Sequence, residues 1–179
     1  NGLGLYDKSH LVPFGEYIPF QNWIPIKPVV EFHGFTPGTG TQTIKVTDSF
    51  AITPLICYEV IFDEMARGGK DRPDLIVNVT NDGWYGDSAG PRQHFAQTII
   101  RAVEYGVPVA RSANTGISGL IDPLGRIMGK IDFNQKTALS LPLPQKISEK
   151  TLYYTVRNIP FFAFICMFTL ISFVHKKRS

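Results

Sequence analysis

Residues 49–62 read SFAITPLICYEVIF. The part from 49 to 57 is short and apolar, the composition of a buried strand, although Pro54 withholds one donor from the sheet. Cys57 closes it, and Tyr58 and Glu59 follow as the chain turns. A short helix is expected over 58–70, with Glu59, Asp63 and Glu64 near its start and Gly68 and Gly69 ending it. Downstream the pattern recurs. Residues 75–80 (LIVNVT) are β-branched and apolar, as a buried strand should be. After the loop 81–86, residues 93–105 read as a helix with Phe95, Ile99, Ala102 and Val103 inward, closed by Gly106 and Pro108. Residues 107–112 are a third strand, and 118–121 and 126–131 flank the turn DPLG as a β-hairpin. Strands alternating with helices give an α/β class.

Upstream lies a segment rich in Pro, Gly and Thr, residues 21–45, expected to be a long irregular loop acting as a lid or binding loop. Residues 142–157 read as a linker. The run FFAFICMFTLISFV that follows carries no charge, and HKKR comes straight after it. This reads as a transmembrane helix over 158–174 with a basic cytoplasmic tail at 175–179. Tyr153 and Tyr154 would sit at one interface, Lys176 would snorkel at the other, and the body would lie outside the cytoplasm. Cys166, inside the run, reads as a packing residue.

The chain has 179 residues with 18 Lys and Arg against 15 Asp and Glu. All 15 acidic residues precede Arg157, whereas Arg157, Lys176, Lys177 and Arg178 flank the apolar run. The charge surplus therefore belongs to a membrane signature, and no nucleic-acid partner is expected. Two cysteines without a CxxC pair exclude a disulfide scaffold. No histidines share i,i+4 spacing and no Gly-rich phosphate loop occurs, so neither metal nor cofactor is expected. The first residue is Asn1, not Met, and the sequence reads as a portion of a longer protein.

Cys57 is the sharpest candidate for chemistry. A thiol at a strand-to-helix turn sits where a helix dipole favours thiolate; a small buried hydrophobe is the other reading. Lys8 lies ahead of an apolar segment containing Pro13 and Gly15, with Glu16 eight residues on. A lysine held near a thiolate would stabilise an oxyanion, and Glu16 would tune that lysine; a solvated surface role is the other reading. His10 and His94 each invite a Cys–His pairing, ranked lower because neither can be tied to an orienting Asn or Asp. Asn81, Asp82, Trp84 and Asn114 sit at strand ends, where α/β sheets place their sites, or else serve as turn residues.

Four stretches carry a resemblance: YDKSHLVPFGEYIPF at 6–20, ICYEVIF at 56–62, NVTNDGWYGDSAGPRQHFAQ at 78–97 and RSANTGISGLIDPLGRI at 111–127. In this order they resemble the carbon–nitrogen hydrolase (nitrilase) superfamily, in its bacterial inner-membrane acyltransferase branch. The resemblance implies a nitrilase-like αββα sandwich, incomplete here because its N-terminal part is missing, followed by the one membrane helix. Residues 1–141 would be the C-terminal part of that domain. The resemblance also implies a Glu–Lys–Cys triad, with Cys57 the nucleophile, Lys8 the lysine, Glu16 the supporting glutamate, and Tyr58 and Glu59 shaping the pocket. The partners implied are a membrane phospholipid as acyl donor, a diacylglyceryl-lipoprotein as acceptor, and the bilayer. The triad's general-base glutamate would precede Lys8 by a long stretch and is not in this chain. A separately encoded N-terminal half would restore it. Two other readings stay open, a membrane-tethered amidase and an inactive remnant.

Overall fold

The computed structural model describes residues 4–20 and 34–178, with backbone alone at 174 and 176–178. Six strands form one mixed sheet in the order β1-β2-β3-β4-β5-β6. These are β1 (Ile44–Thr47), β2 (Phe50–Ile56), β3 (Leu75–Asn81), β4 (Val109–Asn114), β5 (Ser118–Ile121) and β6 (Ile127–Ile131). The central three run parallel, while β1, β5 and β6 add antiparallel edges. The expected α/β class is what the chain adopts.

Pro54 is tolerated in β2 for a geometric reason. Ala51 gives its carbonyl to Asp74 on the β3 side, so Ile52, Pro54 and Ile56 turn their backbone groups the other way. There β1 reaches only as far as Ile44, opposite Ile52. The missing donor of Pro54 therefore faces past the end of the neighbouring strand.

Alternation along the parallel strands separates two faces. Thr53, Leu55, Ile76, Asn78, Val109 and Arg111 are buried beneath one long helix, α2 (Gly90–Tyr105). Leu55, Ile76 and Val109 meet Phe95, Ala102 and Tyr105 there, each contributing about 1.5–3 kcal/mol by burial. The opposite face carries Ile52, Ile56, Leu75, Val77 and Val79, and none of these is buried. Among the described residues no helix packs on this face.

Several expectations change. Helix α2 begins at Gly90, with Pro91 in its first turn, and Val103 faces outward while His94, Thr98 and Arg101 are buried. The helix expected over 58–70 is two short turns, a 3-10 turn η1 (Cys57–Ile61) and α1 (Asp63–Ala66), separated by the extended Phe62. Glu59 folds its side chain back onto the Ile56 N–H and closes the first turn early. In the expected loop 21–45, residues 21–33 lie outside the described residues, and Ile44 and Lys45 already belong to β1.

The final elements are α3 (Leu152–Val156) and α4 (Ile159–Arg178). The expected membrane crossing at 158–174 is corrected: among the described residues no helix is long and apolar enough to cross a membrane. The uncharged stretch from Ile159 reaches only about 24 Å at 1.5 Å per residue, short of a hydrocarbon core of about 30 Å. Helix α4 instead projects with its large apolar side chains, Phe161, Phe164, Phe168 and Phe173 among them, exposed. The tail expected at 175–179 falls mostly outside the described side chains.

The base of α4 is fixed to the body. Asp63, opening α1, accepts hydrogen bonds from Tyr153 Oη at 2.9 Å and Arg157 Nη2 at 3.2 Å, and its carbonyl accepts one from Tyr105. Burial raises the Asp63 carboxyl, but hydrogen bonds from Glu64 and Tyr153 and the charge and hydrogen bond of Arg157 outweigh it and bring the pKa down to about 2.

Candidate active site

Cys57 sits at the C-terminal end of parallel strand β2, half-buried, with φ of 54°. For a residue with a side chain that left-handed bend costs about 1–2 kcal/mol, so neighbouring bonds must hold it. Two do so from the α2 side. The Cys57 carbonyl lies 3.2 Å from His94 Nε2 and accepts from Asn78 Nδ2 at 3.4 Å.

The lysine loop is bound to this elbow by Glu59. Fully buried, its carboxylate accepts five hydrogen bonds. Oε1 takes Ser9 N at 2.7 Å, Ser9 Oγ at 3.1 Å and His10 N at 3.0 Å; Oε2 takes Tyr6 Oη at 2.9 Å and Ile56 N at 2.7 Å. One side chain therefore joins the strand end before Cys57 to the backbone immediately after Lys8. Burial and the Glu59 charge raise the Tyr6 hydroxyl well above its ordinary value, which keeps it a donor.

Lys8 Nζ lies 2.7 Å from both oxygens of Glu16, and Glu16 also accepts Val12 N at 2.8 Å. A turn with Phe14 at φ 62° brings the two together. On the other flank Gly38 N donates to the Lys8 carbonyl at 2.8 Å. A Cβ at Gly38 would stand 2.3 Å from the Asp7 carbonyl oxygen, so only glycine permits that approach. Lys8, Glu16, Leu11 and Phe35 line a hollow of about 500 Å³. A larger one, about 870 Å³, lies between β4 to β6 and the segment ending in Leu139, Leu141 and Leu143, and includes neither Cys57 nor Lys8.

Of the expected residues, then, the structure joins Lys8 to Glu16 and binds their loop to the elbow through Glu59. Tyr58 is edge-on to Phe62 with ring centroids 4.9 Å apart, and His10 of the lysine loop stacks on the same Phe62 at 3.7 Å. Asn81 caps the turn after β3 and accepts from Asn114, while Trp84 is exposed.

What the sequence did not show is a buried polar network under Cys57. Asp82 Oδ1 lies 2.8 Å from His94 Nδ1, and Asp82 Oδ2 accepts from Arg111 Nη2 at 2.7 Å. Arg111 also donates to Asn78 Oδ1, and Nε reaches the Ile117 carbonyl at 3.1 Å. His94 is thus tied to an aspartate after all, contrary to the expectation that no orienter existed. Burial pushes the Asp82 carboxyl up, but the His94 hydrogen bond and the Arg111 charge prevail and hold it below the ordinary range. Burial lowers Arg111 against the pull of Asp82. A usable signal was present: alternation in β3 and β4 puts Asn78 and Arg111, paired in register, on the same buried face as Ile76 and Val109. Among the described residues no group of three or more His, Cys, Asp or Glu side chains is placed to hold a metal ion.

The site thus sets a cysteine in a left-handed elbow at the end of a parallel strand of an α/β sheet, with a lysine loop bound beside it. Comparison with known proteins makes this specific. Residues 1–149 match the model of the carbon-nitrogen hydrolase family, and the chain belongs to that family. It is similar to the apolipoprotein N-acyltransferase of Rickettsia prowazekii, 42% identical over 178 residues, which are 98% of this chain and 35% of that protein. The enzyme of the same name from Rhizobium rhizogenes is 48% identical over 138 residues, 75% of this chain and 26% of that one. The chain spans about a third of the length of the curated relatives it matches. Among solved structures, an amidase from Nesterenkonia sp. is a looser likeness, 23% identical with a TM-score of 0.45 over 56% of this chain and 41% of that one.

Proposed function

We propose that this chain supplies the cysteine and lysine of an apolipoprotein N-acyltransferase. Cys57 Sγ attacks the ester carbonyl of a membrane phospholipid. The acyl–oxygen bond breaks, the lysophospholipid leaves with the thiol proton, and a thioester remains on Cys57. The α-amino group of a diacylglyceryl-cysteine lipoprotein then attacks the thioester, giving an amide and restoring the thiol. Dividing the exchange this way replaces one difficult step by two easier ones. Lys8, oriented by Glu16, and backbone N–H groups stabilise the oxyanion in both steps. Tyr58 and Glu59 support the pocket, Glu59 by holding the lysine loop. The exposed apolar surface of α4 keeps the site at the lipid, where both substrates reside.

The observation that carries this reading is the bridge of Glu59 between the Cys57 elbow and the Lys8 loop, in a chain whose relatives bear that enzyme's name. Its test is the intact mass of the full-length protein after incubation with phospholipid vesicles. An acyl adduct on Cys57, lost in Cys57→Ala and discharged by a diacylated lipopeptide, is the expected result. An adduct that persists in Cys57→Ala, or ammonia release from simple amides with no lipopeptide product, would overturn it.

A further inference from the structure

Beneath the elbow, His94 has both ring nitrogens turned toward oxygens. Nδ1 lies 2.8 Å from Asp82 Oδ1 and Nε2 lies 3.2 Å from the Cys57 carbonyl. The Cys57 carbonyl only accepts, so Nε2 satisfies it only by carrying a proton. Arg111 Nη2 also comes within 3.2 Å of Nδ1, but its shorter bond, 2.7 Å, goes to Asp82 Oδ2. Asp82 therefore takes two donors on opposite oxygens, and Thr80 Oγ1 adds a third at 3.1 Å. The ring is 3% exposed, too deep for water to relieve a mismatch at Nε2.

We propose that the Nε2–H of His94 clamps the Cys57 carbonyl, making it the positioning residue that fixes the nucleophile's left-handed bend. The proposal rests on the acyl-transfer reading for its function and on the hydrogen-bond geometry for its existence. Two consequences follow from the same contacts. The clamp offsets the strain of a positive φ at a residue that cannot be glycine. Because the peptide is planar and trans, drawing the Cys57 carbonyl toward α2 aims the Tyr58 N–H to the opposite side, where an oxyanion donor would be needed.

Two measurements test it on the full-length protein in detergent. In the first, histidine is labelled with nitrogen-15 and the His94 signals are assigned by their loss in His94→Gln. Nε2 should resonate as protonated; an unprotonated Nε2 would overturn the proposal whatever the enzyme does. In the second, acylation of Cys57 is followed by mass. His94→Phe, which cannot donate, should acylate about a hundredfold more slowly. His94→Gln, whose amide N–H can reach the carbonyl, should recover most of that loss; equal losses in the two variants would overturn the clamp. Should the Phe variant fail to fold, the nitrogen-15 spectrum decides. A protonated Nε2 in a protein that never acylates Cys57 would leave the clamp standing and remove the acyl-transfer reading.

Discussion

Replacing Glu59 by Gln should loosen the lysine loop without unfolding the sheet. The exchange keeps shape and removes one acceptor. With the amide nitrogen at the Oε1 position, it would face the N–H groups of Ser9 and His10, neither of which can turn away. At the Oε2 position it faces one fixed donor, Ile56 N, and the Tyr6 hydroxyl, which can rotate to accept. The second arrangement therefore wins. It leaves a single buried backbone donor unpaired, about 1–3 kcal/mol, and converts the remaining bonds from charged to neutral acceptors, about 1 kcal/mol each. Relief from burying a carboxylate returns part of this, so the loop should lose about 2–4 kcal/mol of attachment. At a factor of ten per 1.4 kcal/mol, local opening becomes about 30- to 700-fold more frequent. Native-state hydrogen exchange reads this directly at the Ser9 and His10 amides, while amides of β3 and β4 should be unaffected. Acylation of Cys57 should fall about a hundredfold as Lys8 loses its placement. Ser9 and His10 amides exchanging within about threefold of wild type would refute the bridge.

Other expectations follow from single contacts. A Cβ at Gly116 would lie 2.1 Å from Asp82 Oδ2, so Gly116→Ala should break the Asp82–Arg111 pair and cost about 3 kcal/mol in denaturant melts; a change under about 0.5 kcal/mol would contradict the contact. Cys57→Gly should be more stable than Cys57→Ala by about 1 kcal/mol, because only glycine takes φ 54° without strain; the reverse order would show the elbow unstrained. Asp63, depressed to about 2, stabilises the fold above the ordinary carboxylate range, and that contribution is lost as pH falls toward about 2. Acid melts of Asp63→Asn should accordingly be flatter over that range than those of wild type, and parallel curves would refute the assignment.

The elements most legible in the sequence were those whose residues act alone. Strands β2 and β3 and the hairpin of β5 and β6 follow from apolar runs and from Asp122 and Gly125, whose turn the structure closes with Asp122 Oδ1 accepting Leu124 N and Arg126 N. Strand β1 was hidden in a Pro- and Thr-rich stretch because a four-residue edge strand needs little apolar surface. Helix α2 was found, with Phe95, Ile99 and Ala102 facing the core as read. Apolar periodicity also put Val103 inward, whereas His94, Thr98 and Arg101 are buried instead, the histidine meeting Asp82 from the preceding turn and the arginine meeting Glu104 on the same helix. Cys57, Lys8 and Glu16 stood out through their motifs. The bridge through Glu59 and the Asp82–His94–Arg111 network did not, since each joins residues far apart in the chain, and only the folded sheet gives their separation meaning.

The fastening of α3 to α1 through Asp63, Tyr153 and Arg157 makes α4 a strut. Asp63 opens the element directly after the turn that carries Cys57, and Arg157 stands just before α4 begins. Any movement of α4 about its base passes through these bonds to α1, the element that follows the elbow. The offset of α4 from Cys57 is thereby set by covalent length and two side-chain bonds, as a depth gauge sets the reach of a drill.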